Sequence, residues 1–445
     1  MKVLKFGGTS MGTVDSLYQI QSILISDKTQ KFVVCSAMSG ITDQLINLAK
    51  AVKQKNKKNA LKYIDLIASR HFNVIDALIE SLNFRILLKN EVLRTLDGVL
   101  DLFMQDYSKA IEYQVITSGE ILITRIFSSY LNLTGIPNIH LDAKDFMRVD
   151  SLENPDINEV YRRLNNILTS QNNTDIFITQ GFICKNHKNE ISHLKRGGSD
   201  YTASIIGAAV DAEEIQIWTD IDGLHNNDPR FVNSTYPIPE ISFEEASELA
   251  FFGAKILHPE TVLPAIQKNI PILIKNTFKP YSKGTVISEK VNITGLKAIA
   301  AEDNTMMLKI KSERILTNHQ YIKAVFDIFD EYSIAPKLVN ISNTMISVII
   351  NKLEHLKKIT VALNKFSVVT VHKDCTIITV VGKSITNDKN FCKIFESKSL
   401  CPLKMINYEG NSKVSLVVDS RQKVTVLRSL NERLFQEYYE AIAFS

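Results

Sequence analysis

KFGGTS, residues 5–10, is the stretch on which the fold turns. Val3, Leu4 and Phe6 make Lys2–Phe6 a short apolar β-run, and Val14, Leu17, Tyr18 and Ile20 open helical spacing. The stretch is therefore a strand–turn–helix junction at the very N-terminus. Two consecutive glycines let backbone N–H groups approach an anion, and the helix that follows adds its positive end. The pattern G-x-x-x-x-G-K-[ST] is absent, because here the lysine precedes the glycines. Taken alone, the stretch is equally well a tight βα turn with a surface lysine.

The rest of the chain narrows the choice. At 445 residues it holds two or three domains, since one core rarely grows past roughly 250–300 residues. Apolar content of 45% and charged content of 22% are those of a globular protein. A formal charge of +4 gives no support to nucleic-acid binding. No apolar run approaches the roughly 18 residues that span a bilayer, and the N-terminal run is too short for a signal peptide. Five scattered cysteines without a C-x-x-C pair are expected to be reduced and structural, as in the cytoplasm.

Residues 1 to about 290 alternate strands and helices. KFVVCSAM (31–38) ends, like the first strand, in a small-residue loop, Ser39–Thr42. A long helical region runs from Asp43 to about Tyr130, and its six-lysine stretch KAVKQKNKKNALK has no interleaved aromatics, so a solvated surface is expected there. Strands return at PNIHLDA (137–143), DIFITQGFI (175–183) and EIQIWTDIDG (214–223). This alternation predicts an α/β sandwich around a mostly parallel sheet. From Lys290 the segments shorten. Ile328-Phe329 and Pro336 recur at Ile394-Phe395 and Pro402, an offset of 394 − 328 = 66. A duplicated βαββ unit of roughly 65–70 residues is expected over 291–445, with oligomerisation through it.

Three further loops carry polar residues that converge on one chemistry. LKRGGSDYTA (194–203) sets Arg196, two glycines, Ser199 and Asp200 before an apolar helix. WTDIDGLHNNDPR (218–230) ends a strand with Thr219-Asp220 and reaches Arg230, and FFGAKILHPETVLPA (251–265) presents Lys255 beside a glycine. Each falls at a strand end or helix start, where open parallel sheets bind ligands. Lysines, arginines, aspartates and glycine concavities suit phosphoryl transfer, which consists mostly of positioning and charge neutralisation.

KFGGTS, VVCSAMSGIT, TSGE, TQGF, RGGSDYTA, WTDIDG, DPR and FGAKILHP, in this order, resemble aspartate kinases of the amino-acid kinase family, and the duplicated unit resembles their paired ACT domains. The resemblance implies an amino-acid-kinase-like three-layer sandwich in 1–290 that binds ATP and aspartate, and a tandem ACT-like regulatory and dimerisation region in 291–445. It implies phosphorylation of the L-aspartate β-carboxylate by ATP with Mg2+, the step that opens the routes to lysine and diaminopimelate, methionine and threonine. Lys5 would hold the transferring phosphoryl group, with Gly7, Gly8 and Ser10 in the phosphate cradle. Asp200 would orient lysines, and Lys255 would act from the nucleotide side with Thr219, Asp220, His225 and Arg230. Arg196 would grip an aspartate carboxylate and Glu120 the ammonium, with Thr42 and Ser199 adding hydrogen bonds. No protein ligand for the metal is implied. Outside that company Asp200 suits a helix cap, Glu120 a first-turn acid, His258 a capping residue, and Asp222 and Asp228 turn formers.

Several positions depart from the family pattern. His225 replaces a usual tyrosine, and Ser192–Lys195 replaces a usual T-T-L-G. In the first ACT-like unit two acidic positions are Lys337 and Asn343, which leaves a cationic effector facing a like charge, so lysine inhibition is expected to be weak or lost. A sibling kinase acting on another acid and a non-catalytic amino-acid sensor are the rival readings. The second predicts losses among Lys5, Arg196, Asp200 and Lys255, all of which are present. The chain ends after the second unit, so no fused homoserine dehydrogenase is expected.

Overall fold

A computed structural model describes residues 1–169, 174–194, 197–254, 257–292, 294–312, 319–351, 355–385, 405–409 and 411–443, the side chains of 408–409 and 436–443 excepted. The chain divides into two compact units. The first comprises Met1–Leu224, Pro239–Phe243 and Leu257–Val291. The second comprises His225–Ile238, Glu244–Ile256 and Asn292–Ser445.

The first unit is built on an eight-stranded sheet. Its strands are β1 (Lys2–Phe6), β2 (Lys31–Cys35), β3 (Ile139–Leu141), β4 (Ile176–Gln180), β7 (Glu214–Thr219), β8 (Glu240–Ser242), β9 (Ile272–Asn276) and β10 (Thr285–Ser288), while β5 (Ile183–Lys185) and β6 (Ile191–His193) form a separate hairpin. The order is β3-β4-β2-β1-β7-β9-β10-β8, and only the β9–β10 pair is antiparallel. KFVVC and IFITQ are buried at every position, as parallel strands covered on both faces must be. Period-two alternation then sorts the side chains. Leu4, Phe6, Val33, Cys35, Ile176 and Ile178 join the core beneath helices α1 (Val14–Ile25), α2 (Ile41–Lys53), α3 (Lys57–Leu78), α4 (Leu82–Asp101), α5 (Lys109–Ile116) and α6 (Ser118–Leu133). Val3 and Lys5 point to the opposite face, where helices α7 (Ala143–Phe146), α8 (Ile157–Thr169) and α9 (Gly198–Ala209) follow in sequence and α9 packs on β1 and β7. Sheet and two helical layers make the expected α/β sandwich.

The second unit carries a six-stranded antiparallel sheet of β11 (Gly295–Lys311), β12 (Leu338–Ile341), β13 (Met345–Ile350), β14 (Val368–Lys383), β15 (Met405–Glu409) and β16 (Lys413–Asp419), in the order β12-β13-β11-β14-β16-β15. The expected short segments are corrected in two places, because β11 and β14 are 17 and 16 residues long. Their polar middles read as breaks but are bulges: the register shifts between Glu302 and Thr305, and Asn304 and Asp374 take left-handed φ of 58° and 56°. Each long strand serves two cores. Met306, Leu308 and Ile310 pack with the helix His319–Glu331 and with Leu356–Leu363, whereas Ile299, Ile378 and Val380 pack with Val426, Leu427 and Leu430 of the last helix. Each half supplies the three strands of a βαββ unit, β11 to β13 and β14 to β16, with the helix His319–Glu331 in the first; the expected helix of the second, with the repeat at Ile394-Phe395 and Pro402, lies outside the described residues.

Candidate active site

The carboxyl ends of β1, β2, β4, β7 and β9 lie along one edge, and the chain leaves β1 for β2 on one side and β7 on the other. This is the switch point at which open sheets of this kind bind ligands. The opening loop is held there by its own backbone. Gly7 N–H donates to Trp218 O (3.1 Å), Ser39 N–H to Gly8 O (3.0 Å) and Arg70 to Gly12 O (2.8 Å), and Thr13 with Ser16 closes a capping box that starts α1. A Cβ on Gly8 would stand 3.1 Å from Ala37 O, so this crossing favours glycine. Ser10 is fully buried, with its Oγ 2.7 Å from Thr277 Oγ1, and joins the loop to the end of β9.

Lys5 is buried, and its Nζ lies 2.7 Å from Asp200 Oδ1. Asp200 sits in the first turn of α9, whose N-cap is Gly197 in a left-handed conformation without a side-chain cap. The cap role for Asp200 is thereby corrected: its carboxylate faces a lysine instead. His258 does cap a short helical turn, through Glu260 N–H, and Asp228 accepts the backbone N–H of Arg230.

Beside this pair lies a cavity of about 240 Å3, lined by Gly8, Ser39, Gly40, Thr42, Glu120, Phe182 and Ser199 among others. Gly40, at φ 81°, starts α2 and turns Thr42 toward the cavity wall. Glu120 stands in the first turn of α6, but it is 4% exposed and not on the surface. Its Oε2 has no hydrogen-bond partner among the described residues. Burial pushes its carboxyl up to about 8, against the opposing pull of backbone hydrogen bonds at Glu120 and Ala37. A buried acid of this kind requires a cation or a proton.

Phe182, which sequence reasoning did not single out, forms one wall. It has a left-handed φ of 71°, its N–H donates to Thr202 Oγ1 (2.9 Å), and its ring stacks on His193 at 4.5 Å. Its available signal was the residue after Gly181 at the end of β4. Strain of this kind gathers at functional sites.

Thr219 and Asp220 close β7 at the same edge: Thr219 Oγ1 donates to Asp220 Oδ1 (3.1 Å), and Asp220 is exposed. His225 and Arg230 belong to the second unit, where His225 Nδ1 is 2.8 Å from Thr235 Oγ1 and Arg230 pairs with Asp228 at 2.6 Å. Arg196 and Lys255 lie outside the described residues.

Fold and site together define an α/β enzyme with ligand loops at the carboxyl edge of its sheet and a buried lysine–aspartate pair. Residues 1–276 match the profile of the amino acid kinase family, and the chain belongs to that family. It is similar over 98% of its length to lysine-sensitive aspartokinase 3 of Escherichia coli, at 28% identity and covering 99% of that protein. The aspartokinase of Chlamydia trachomatis is 27% identical over 98% of each chain. The solved E. coli aspartokinase III in complex with aspartate and ADP (R-state) matches with a TM-score of 0.82 at 27% identity, covering 98% of this chain and 100% of that one. Among the described residues no helix is long and apolar enough to cross a membrane.

Proposed function

We propose that the chain transfers the γ-phosphoryl group of ATP to the β-carboxylate of L-aspartate, giving 4-phospho-L-aspartate and ADP. The observation that carries this reading is Glu120, a buried carboxyl with an unpartnered oxygen in a cavity of amino-acid size. An α-ammonium group satisfies it, and the names of the relatives and the aspartate bound in the E. coli structure support the same substrate.

In the reaction a β-carboxylate oxygen attacks the γ-phosphorus, and the bond to the β,γ-bridging oxygen breaks. The acceptor carries no proton, so no general base is required. Lys5 neutralises the transferring oxygens, and Asp200, at 2.7 Å, holds the ammonium on line. Gly8 gives close backbone approach, while Gly7 and Ser10 hold the loop through Trp218 and Thr277. Thr42 and Ser199 complete the acceptor pocket with Glu120, and by resemblance Arg196 takes a substrate carboxylate. Thr219, Asp220, His225, Arg230 and Lys255 are assigned to the nucleotide. Among the described residues no group of three or more His, Cys, Asp or Glu side chains is placed to hold a metal. By resemblance a Mg2+ ion would arrive on the ATP phosphates and offset their charge there.

The region 1–290 is assigned to catalysis and 291–445 to regulation and homodimerisation. Exposed Ile341, Val361, Phe366 and Val368 on the second unit support a self-association surface. The buried thiols of Cys35 and Cys184 support a reducing, cytoplasmic setting. The test is ADP release with an acid panel and Glu120→Gln: the aspartate KM rises at least about tenfold while the ATP KM holds. An unchanged aspartate KM contradicts the assignment.

A further inference from the structure

His193 stands where the usual T-T-L-G pattern has a threonine, so this chain carries an imidazole ring at a position where no ring is expected. That ring lies between two others. It stacks on Phe182 with centroids 4.5 Å apart and planes 20° from parallel, and it meets Tyr113 edge-on at 4.3 Å and 80°. Its orientation is fixed by a hydrogen bond: Nδ1 is 3.0 Å from Leu194 O, and because a carbonyl oxygen only accepts, Nδ1 carries the proton.

Each neighbour leads to a wall of the acceptor cavity. Phe182 is itself a wall, and its left-handed φ of 71° needs its surroundings to hold it. Tyr113 belongs to α5, which packs on β6. The Tyr113 carbonyl oxygen accepts both the N–H of Thr117 (3.0 Å) and its hydroxyl (2.8 Å). Thr117 is the N-cap of α6, and Glu120 follows in the first turn of that helix. The backbone near His193 is braced as well. His193 pairs with Ile183 across the β5–β6 hairpin, and Leu194 N–H donates to Phe182 O at 2.8 Å. One side chain therefore bridges the aromatic wall and the helix corner that carries the buried carboxyl.

We propose that His193 is a positioning residue for the acceptor amino acid: its ring clamps Phe182 to Tyr113 and so fixes the spacing between Phe182 and Glu120. That the cavity receives aspartate rests on the function proposed above.

The full-length chain is compared with His193→Ala and His193→Thr, which lose the ring, and with His193→Phe, which keeps one. The threonine variant, with the usual residue of the family pattern, covers the case in which the alanine variant fails to fold. Hydrogen exchange of residues 180–185 in the free protein reads the clamp without any substrate, and KM and kcat read its consequence. Loss of the ring should speed that exchange about five- to tenfold and raise the aspartate KM by a similar factor, with kcat and the ATP KM unchanged. His193→Phe should keep wild-type exchange and wild-type KM. A merely structural role would move both KM values and kcat together, and that result overturns the proposal. Unchanged exchange or an unchanged aspartate KM in the ring-less variants overturns it too, as does a His193→Phe variant that behaves like them. If exchange responds and His193→Phe preserves it while the wild type fails to phosphorylate aspartate, the clamp stands and the proposed substrate fails.

Discussion

Aspartate binding should expel a proton at Glu120. In the free protein its carboxyl is pushed up to about 8 by burial, from an ordinary 4.5. At pH 7 about nine-tenths of the molecules then carry the proton, and at pH 9 about one-tenth do. A bound ammonium against the same carboxyl favours the charged form and drives the proton out. Aspartate uptake at pH 7 therefore releases about 0.9 proton, and at pH 9 about 0.1. Apparent affinity follows the ionised fraction and strengthens about 50-fold from pH 6 to pH 8. The same shift makes the unliganded fold less stable as pH rises from about 4.5 to about 8, because over that window the native state holds a proton that the unfolded chain has lost. Calorimetric titration in two buffers of different ionisation enthalpy, with a non-hydrolysable nucleotide present, reads the proton count directly. Equal release at pH 7 and pH 9, or release that survives in Glu120→Gln, refutes the reasoning.

Other perturbations test neighbouring parts of the account. Lys5→Met should lower kcat by at least about 10³-fold with the melting temperature nearly kept, and a fully active variant would remove Lys5 from the reaction. Gly198→Ala drives a Cβ into the Phe182 ring and should raise the aspartate KM about tenfold, at a cost of about 1–3 kcal/mol. Gly98→Ala, with nothing within 4 Å, should stabilise α4 by about 0.5–1 kcal/mol without touching activity. A denaturant titration and a KM series separate the two glycines. His71 is buried with Nδ1 2.7 Å from Ile67 O, and burial holds it down at about 4. Its folded value is depressed, so the stability it contributes is full above about 6.5 and is lost as pH falls through about 4. His71→Leu should flatten that acid limb by up to about 3 kcal/mol, read as melting temperature against pH.

Much of the fold is legible because buried parallel strands announce themselves: KFVVC and IFITQ have apolar residues wherever the sheet is covered. The candidate site is legible for a related reason, since its residues fall at strand ends and helix starts that open sheets bring to one edge. What could not be read is pairing across long separations. Lys5 and Asp200 are 200 − 5 = 195 residues apart, and only the packing of α9 on β1 brings them to 2.7 Å. Ser10 has the look of a ligand, yet its hydroxyl is spent on Thr277, a partner 267 residues away. Phe182 in a left-handed conformation leaves no mark in composition. The polar runs within β11 and β14 imitate turns because a bulge uses the same residues. Lys337 reads as a repelling charge until Phe251 and Glu302 stand beside it.

Everything proposed for the site depends on aspartate being the phosphoryl acceptor. Incubating the protein with MgATP and L-aspartate in the presence of hydroxylamine, and counting ADP against trapped aspartyl hydroxamate, tests it most directly. ADP and hydroxamate should form in equal amounts, with glutamate and N-acetylglutamate giving neither. ADP without hydroxamate, or hydroxamate only from another acid, would contradict it.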